Sequence, residues 1–84
     1  MKTITVHVQA NEGFDARGIA LLVQEASRFE SSIHLTDGSR RMNAKSLMGM
    51  MALGITEGDD VYIEASGNDE EEAVSVLVEF LEGR

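Results

Sequence analysis

Apolar residues occupy every second position in two stretches of the chain, one near its start and one in its second half. Residues 3–8 alternate in this way, which is typical of a strand with one buried and one solvated face. The second stretch follows Glu57-Gly58 and has the same period. The side chains expected to point inward are Ile4, Val6 and Val8 in the first strand and Val61, Ile63 and Ala65 in the other. His7 then falls on the solvated face.

Another pair of strands is predicted between residues 33 and 43. Ile33 and Leu35 begin the first of them, which leaves His34 between them on the solvated face. Asp37-Gly38 is a strong signal for a two-residue hairpin turn, so the second strand of this pair follows around residues 41–43.

Three further segments have the spacing of helices. The first occupies residues 15–28 and begins at Asp15, a favourable N-cap. The central helix lies within residues 43–54 and stops at Gly54, which can adopt left-handed backbone. The last begins at Asn68 or Asp69. The apolar positions expected to face the core are Ala16, Ala20, Val23 and Ala26 in the first helix, Met50 and Leu53 in the central helix, and Ala73, Val74, Leu77, Phe80 and Leu81 in the last.

The order strand, helix, strand, strand, helix, strand, helix predicts an α+β fold. Four strands and three helices suit an open-faced two-layer sandwich, in which an antiparallel sheet carries the helices on one face and meets water on the other. With 84 residues, 43% of them apolar, the chain is expected to form one domain over residues 1–84.

The composition argues against several classes of function. The formal charge of −8 disfavours general nucleic-acid binding, which needs many lysine and arginine contacts to phosphates. No cysteine is present, so neither disulfides nor a cysteine-based metal site is expected, and the cytoplasm is the natural location. No apolar run approaches the roughly 20 residues that cross a bilayer. Charge is unevenly distributed: residues 57–82 hold ten acids and no base, whereas six of the seven basic residues lie in the first 45 positions.

The start of the central helix carries a hydroxyl, Ser46, with the layout of a phosphorylation switch. Its neighbours are basic on one side, Arg40, Arg41 and Lys45, and apolar on the other, Leu47, Met48 and Met51. The free N–H groups and the dipole of a helix start favour an anion, and a phosphate would add about −1.5 to −2 charges beside three cations. A serine at this position is usually only a cap, and residue type alone favours that structural role.

Two segments of the chain form recognisable motifs. Gly13-Phe-Asp-Ala-Arg17 opens the first helix and Lys45-Ser-Leu-Met-Gly-Met-Met51 opens the central one. In this element order and at this distance apart, they make the chain resemble HPr, the histidine-containing carrier of the bacterial sugar phosphotransferase system, and more closely its regulatory relatives of the Crh type. The resemblance extends over essentially the whole chain and implies the strand order 1-4-2-3. Strand four would then separate His7 from His34, so a shared metal site is not expected.

The chain departs from HPr at the phosphoryl-accepting histidine. That position is Asp15, the arginine of the motif is present as Arg17, and the proline after it is Gly18. An aspartate can form an aspartyl phosphate, but enzymes that do so normally supply a metal and a shaped pocket. We therefore expect Asp15 to act chiefly as an N-cap, and no catalytic residue, cofactor or metal is expected.

The resemblance implies a regulatory binding protein. In HPr and Crh proteins the serine matching Ser46 is phosphorylated by HPr kinase/phosphorylase, and the product is the corepressor of the catabolite control protein, a LacI-type repressor. The residues that would contact partners are Asp15, Arg17, Lys45, Leu47, Met48 and Met51. Two alternatives remain open: a phosphocarrier that serves enzyme I and enzyme II components through Asp15, or drift to another partner. Crh relatives also exchange their first strand to form dimers, and residues 11–13 could act as the hinge here.

Overall fold

The structure, a computed structural model, describes residues 1–9 and 15–83. The predicted turn at residues 11–13, and with it Gly13 and Phe14 of the first motif, lies outside the described residues. The elements in chain order are β1 (Lys2–His7), α1 (Ala16–Ser27), β2 (Ser32–Asp37), β3 (Arg40–Asn43), α2 (Leu47–Leu53), β4 (Asp60–Ser66) and α3 (Glu70–Leu81).

The strands form an antiparallel sheet in the order β1-β4-β2-β3, which confirms the predicted fold. β4 lies at the centre, where Ile63 is paired with Ile4 of β1 on one side and with Leu35 of β2 on the other. β1 and β3 are the edge strands, and β3 has only four residues. His7 and His34 lie on β1 and β2, so β4 separates them as expected.

Alternate side chains of the strands form the core beneath the helices. Val6, Val8, Val61, Ile63, Ala65, Ile33 and Leu35 are all buried. The exception is Ile4, which was expected to point into the core but is 39% exposed. Ile4 lies on an edge strand, and burial on one side of such a strand depends on whether a helix reaches over it. The alternation therefore gave the correct face but not the extent of burial at this edge.

The buried stripe of α1 differs from the predicted one. Ile19, Leu22 and Ala26 are buried, whereas Ala16 is exposed and Ala20 and Val23 are only half-buried. The prediction followed small residues at helical spacing. The larger Ile19 and Leu22 lie about one residue further round the helix and displace more water when buried, so they determine which face turns inward. Ala26 is common to both stripes.

The hairpin turn lies one residue later than predicted. Asp37 pairs with Arg40, so the two loop residues are Gly38 and Ser39. Gly38 has φ of 66°, the left-handed value that the first position of a type II′ hairpin turn requires. This places Asp37 within β2, with its side chain beside β4.

The start of α3 also differs in detail. Asp69 is the residue before the helix, as predicted, but its side chain does not cap the helix. Instead the N–H of Gly67 donates to Glu70 Oε1 at 3.1 Å, and the Asp69 carboxylate bonds to the turn that joins α1 to β2. No helix within the described ranges is long and apolar enough to cross a membrane.

Candidate partner-binding site

Ser46 is the N-cap of α2, as its position in the sequence predicts. Its backbone is extended, with φ of −99° and ψ of 116°, and its Oγ accepts a hydrogen bond from the N–H of Gly49 at 3.0 Å. The side chain is half-buried. A Cβ at position 49 would lie 3.2 Å from both Cβ and Oγ of Ser46, so glycine leaves the hydroxyl room in this position. The hydroxyl is thus held by one bond at the surface edge of the helix.

The residues after Ser46 divide between core and surface. Met50 and Leu53 are buried, as predicted, and anchor α2 on the rest of the molecule. Leu47, Met48 and Met51 are 45%, 83% and 55% exposed. We call these three side chains the apolar patch. They lie one, two and five positions after Ser46. Three exposed apolar side chains on one seven-residue helix form an adaptable surface, which makes the patch a candidate contact surface for another protein.

The three basic side chains do not gather around the Ser46 hydroxyl as the sequence analysis expected. Arg40 donates from Nη1 to the carbonyl of Ala52 at 2.6 Å, at the opposite end of α2. Lys45 donates from Nζ to the carbonyl of Phe29 at 2.6 Å, just after α1. Arg41 pairs through Nε with Glu64 at 2.8 Å across the sheet. Sequence proximity to Ser46 gave no information on these partners, because two of the acceptors are backbone carbonyls, one near the far end of α2 and one just after α1.

The start of α1 contributes Asp15 and Arg17. The Asp15 carboxylate accepts a 3.0 Å hydrogen bond from the N–H of Gly18, so Asp15 is an N-cap, as expected. Arg17 is exposed, and no carboxylate within residues 1–9 and 15–83 forms an ion pair with it. A cavity of about 140 Å³ lies between the start of α1 and the end of α2. Asp15 and Met51 both line it. Its other lining residues are Ala16, Ile19, Met50, Gly54 and Ile55.

The cavity is the part of the site that the sequence did not reveal. Its apolar floor, Ile19 and Ile55, comes from segments 36 positions apart, and neither residue belongs to a motif. Asp15 and Met51 are predicted contact residues from two different motifs, and in the structure both line this cavity. Two of the six predicted contact residues therefore line one cavity, and the grouping of all six on one surface stays a prediction.

The histidines lie away from this surface. His7 pairs through Nδ1 with Asp60 at 2.9 Å, and both side chains are exposed. His34 is half-buried in a shallow groove with Arg41 and Glu64. Within the described part of the chain, no group of three histidine, cysteine or acidic side chains is arranged to hold a metal ion.

A pair of carboxylates lies near the hairpin turn. Burial, followed by the neighbouring Asp59, raises the pKa of Asp37 from 3.8 to about 6. Asp37 Oδ2 is buried and accepts no hydrogen bond from the described residues. The hydrogen bond from the protonated Asp37 and another from the N–H of Thr56 lower the pKa of Asp59. One proton shared by this pair therefore relieves the repulsion between them at acidic pH.

Comparison with known proteins identifies the class to which this fold and site belong. Residues 2–83 match the family model described as the PTS HPr component phosphorylation site. Two curated relatives are HPr-like protein Crh of Halalkalibacterium halodurans, 44% identical over 77 residues (92% of each chain), and HPr-like protein Crh of Bacillus subtilis, 42% identical over 77 residues (92% of this chain and 91% of that protein).

Solved structures agree with these relatives. The crystal structure of HPr-C-His from Thermoanaerobacter tengcongensis is 44% identical, with a TM-score of 0.90 over 98% of this chain and 92% of that one. The crystal structure of Crh from Bacillus subtilis, described as a swapped, intertwined dimer, is 38% identical with a TM-score of 0.75 over 96% of this chain and 91% of that one.

The chain therefore belongs to the HPr family. Within that family it is a Crh-like member, because the position of the active-site histidine is Asp15 and the two curated relatives above are HPr-like Crh proteins.

Proposed function

We propose that this protein is a non-enzymatic regulator of carbon catabolite repression, phosphorylated on Ser46 by HPr kinase/phosphorylase and then acting as corepressor of the catabolite control protein. One observation carries the proposal: the Ser46 hydroxyl adjoins an exposed apolar patch on the same short helix. A modification at Ser46 thus changes the charge at the edge of a ready contact surface. The protein would act in the cytoplasm with these partners.

Phosphorylation transfers the γ-phosphoryl group of ATP to Ser46 Oγ, releasing ADP and the hydroxyl proton. The group adds about −1.5 to −2 charges without altering the buried side of α2. Because Arg40 and Lys45 already donate to the carbonyls of Ala52 and Phe29, the phosphate is available to cations of a partner. We propose that the partner contacts the phosphate, the apolar patch and Arg17 together.

Asp15 has a different part in this proposal from that of the histidine it replaces. Its carboxylate accepts a hydrogen bond from the N–H of Gly18 and so caps the first turn of α1. At the rim of the cavity beside Met51, Asp15 presents a negative charge to any docking protein. We propose that Asp15 selects among partners through this charge and that it does not carry phosphoryl groups.

The test combines intact-mass measurement with a matched pair of serine variants. HPr kinase/phosphorylase and ATP should add one phosphate to the wild type and to Ser75→Ala, which alters an exposed serine of α3, and none to Ser46→Ala. The phosphorylated wild type, but not the unmodified protein, should then bind the catabolite control protein. A phosphate on Ser46→Ala would refute the assignment. Incubation with enzyme I and phosphoenolpyruvate should add no group, and a hydroxylamine-sensitive label would favour the phosphocarrier alternative instead.

The proposal includes a dimer formed by exchange of β1 between two copies. β1 is an edge strand with one neighbouring strand, β4, and the Crh structure from Bacillus subtilis is described as a swapped dimer. Light scattering should detect a species of twice the chain mass at high protein concentration. A single monomeric species at every concentration would exclude the exchange.

A further inference from the structure

The three methionines of α2 have contrasting environments. Met48 and Met51 are exposed members of the apolar patch, whereas the side chain of Met50, between them in sequence, has no exposed surface. Positions three apart on a helix share a face, so Met48 and Met51 are neighbours on the exposed side of α2. The same helix therefore presents two exposed methionine side chains and protects a third.

We propose that Met48 and Met51 form a site of reversible oxidation that controls docking on the apolar patch. The oxidant is a peroxide. Each thioether sulfur attacks one peroxide oxygen, the O–O bond breaks, and the sulfur loses two electrons to become a sulfoxide while hydrogen peroxide is reduced to water. A methionine sulfoxide reductase restores the thioether: two electrons come from a dithiol reductant, which becomes a disulfide, and the sulfoxide oxygen leaves as water.

The burial pattern makes this oxidation selective and compatible with the fold. Met48 and Met51 can react without any movement of the core, whereas Met50 becomes accessible only when α2 opens locally. Two other methionines provide internal references: Met1 is 75% exposed, and Met42 on β3 is half-buried. We expect the rate to follow exposure, with Met48 and Met1 reacting first, then Met51, and Met50 last.

The consequence for binding rests on the proposed function. A sulfoxide turns a flexible apolar side chain into a polar one, so a surface suited to apolar contacts loses two of its three members. Ser46 is chemically unaffected, and the backbone of α2 remains anchored by Met50 and Leu53. Oxidation would thus prevent docking even when Ser46 carries a phosphate.

The experiment uses the full chain, hydrogen peroxide as the probe, and peptide mapping by mass spectrometry over time. Oxidation of Met48 should be on the order of tenfold or more faster than that of Met50, at an unchanged thermal unfolding midpoint before Met50 reacts. The Ser46-phosphorylated protein, once oxidised at Met48 and Met51, should bind the catabolite control protein at least about tenfold more weakly. Treatment with methionine sulfoxide reductase and a dithiol reductant should restore the affinity.

The matched control is the double variant Met48→Leu, Met51→Leu, which keeps an apolar patch but has no sulfur there. Its binding should not respond to peroxide, although Met1 still reacts. Equal oxidation of Met50 and Met48, unfolding on oxidation of the two exposed residues, or unchanged binding by the oxidised wild type would overturn the inference. If the reduced, phosphorylated protein fails to bind, the proposed partner is wrong. The order of oxidation and the unfolding midpoint can be measured without a partner. They then test whether Met48 and Met51 are oxidised selectively in the folded protein.

Discussion

Ser31 donates a 2.6 Å hydrogen bond from its Oγ to Asp69, 38 positions further along the chain. The same carboxylate accepts bonds from the N–H groups of Glu30 and Ser31, at 2.9 and 3.0 Å. Gly67 allows this contact, since a Cβ there would lie only 2.6 Å from Ser31 Oγ. The turn after α1 is thereby fastened to the start of α3.

We expect Asp69→Ala to lower stability markedly, because it leaves three donors without an acceptor. Donation from Ser31, followed by that from the Glu30 N–H, lowers the pKa of Asp69. The stabilisation is therefore present above the ordinary value of 3.8 and is lost as the pH falls through the lower value of the folded state. Urea unfolding at neutral and acidic pH measures this. Glu71→Ala on the exposed first turn of α3 is the control, and equal destabilisation by both variants would contradict the prediction.

Asp37 should give the opposite dependence on pH. Since the pKa of Asp37 is raised to about 6, the folded state holds a proton that the unfolded chain releases near 3.8. The stabilisation is complete below 3.8 and is lost as the pH rises towards 6. We expect Asp37→Asn to be more stable than the wild type at neutral pH, with a smaller advantage in acid. Denaturant titrations of both proteins at neutral and acidic pH measure their free energies of unfolding. A stability advantage of Asp37→Asn that grows on acidification would disprove the prediction.

Gly49 and Gly54 should have separable roles in α2. Gly49→Ala places a methyl group 3.2 Å from Ser46 Oγ, so it should displace the hydroxyl and slow phosphorylation. Gly54 has φ of 69° and open space around it, so Gly54→Ala should cost about 1 kcal/mol of stability through backbone strain alone. Kinase assays and unfolding curves on both variants test this. The prediction fails if Gly54→Ala slows phosphorylation as much as Gly49→Ala does.

Arg40 should stabilise α2 rather than supply charge to Ser46. Arg40→Ala removes the donor to the Ala52 carbonyl, and a cation at a helix C-terminus contributes about 0.3–1 kcal/mol. Amide exchange near the end of α2 should accelerate in this variant. Arg41→Ala, which removes an ion pair with Glu64, should leave that exchange unchanged. Faster amide exchange in both variants would show that the hydrogen bond from Arg40 to Ala52 does not specifically stabilise the end of α2.

The order of elements could be predicted from the sequence because each strand and helix has its own periodicity and is bounded by capping or turn residues. Asp15 and Ser46 begin helices and Gly54 ends one for local reasons, and all three occupy the predicted positions. The partners of Arg40 and Lys45 could not be predicted, because a long cationic side chain binds whichever distant carbonyl the tertiary fold brings near. The exposure of Ile4 likewise depends on how helices cover an edge strand, which periodicity does not encode.

The position of α2 has a consequence for divergence within this fold. α2 packs on the short edge strand β3 and on α1, away from the central strand β4. Met50 and Leu53 are its only buried residues. Its outward residues can therefore be exchanged one at a time without repacking anything beneath them. New recognition specificities can accumulate on this helix while the architecture that carries it remains the same.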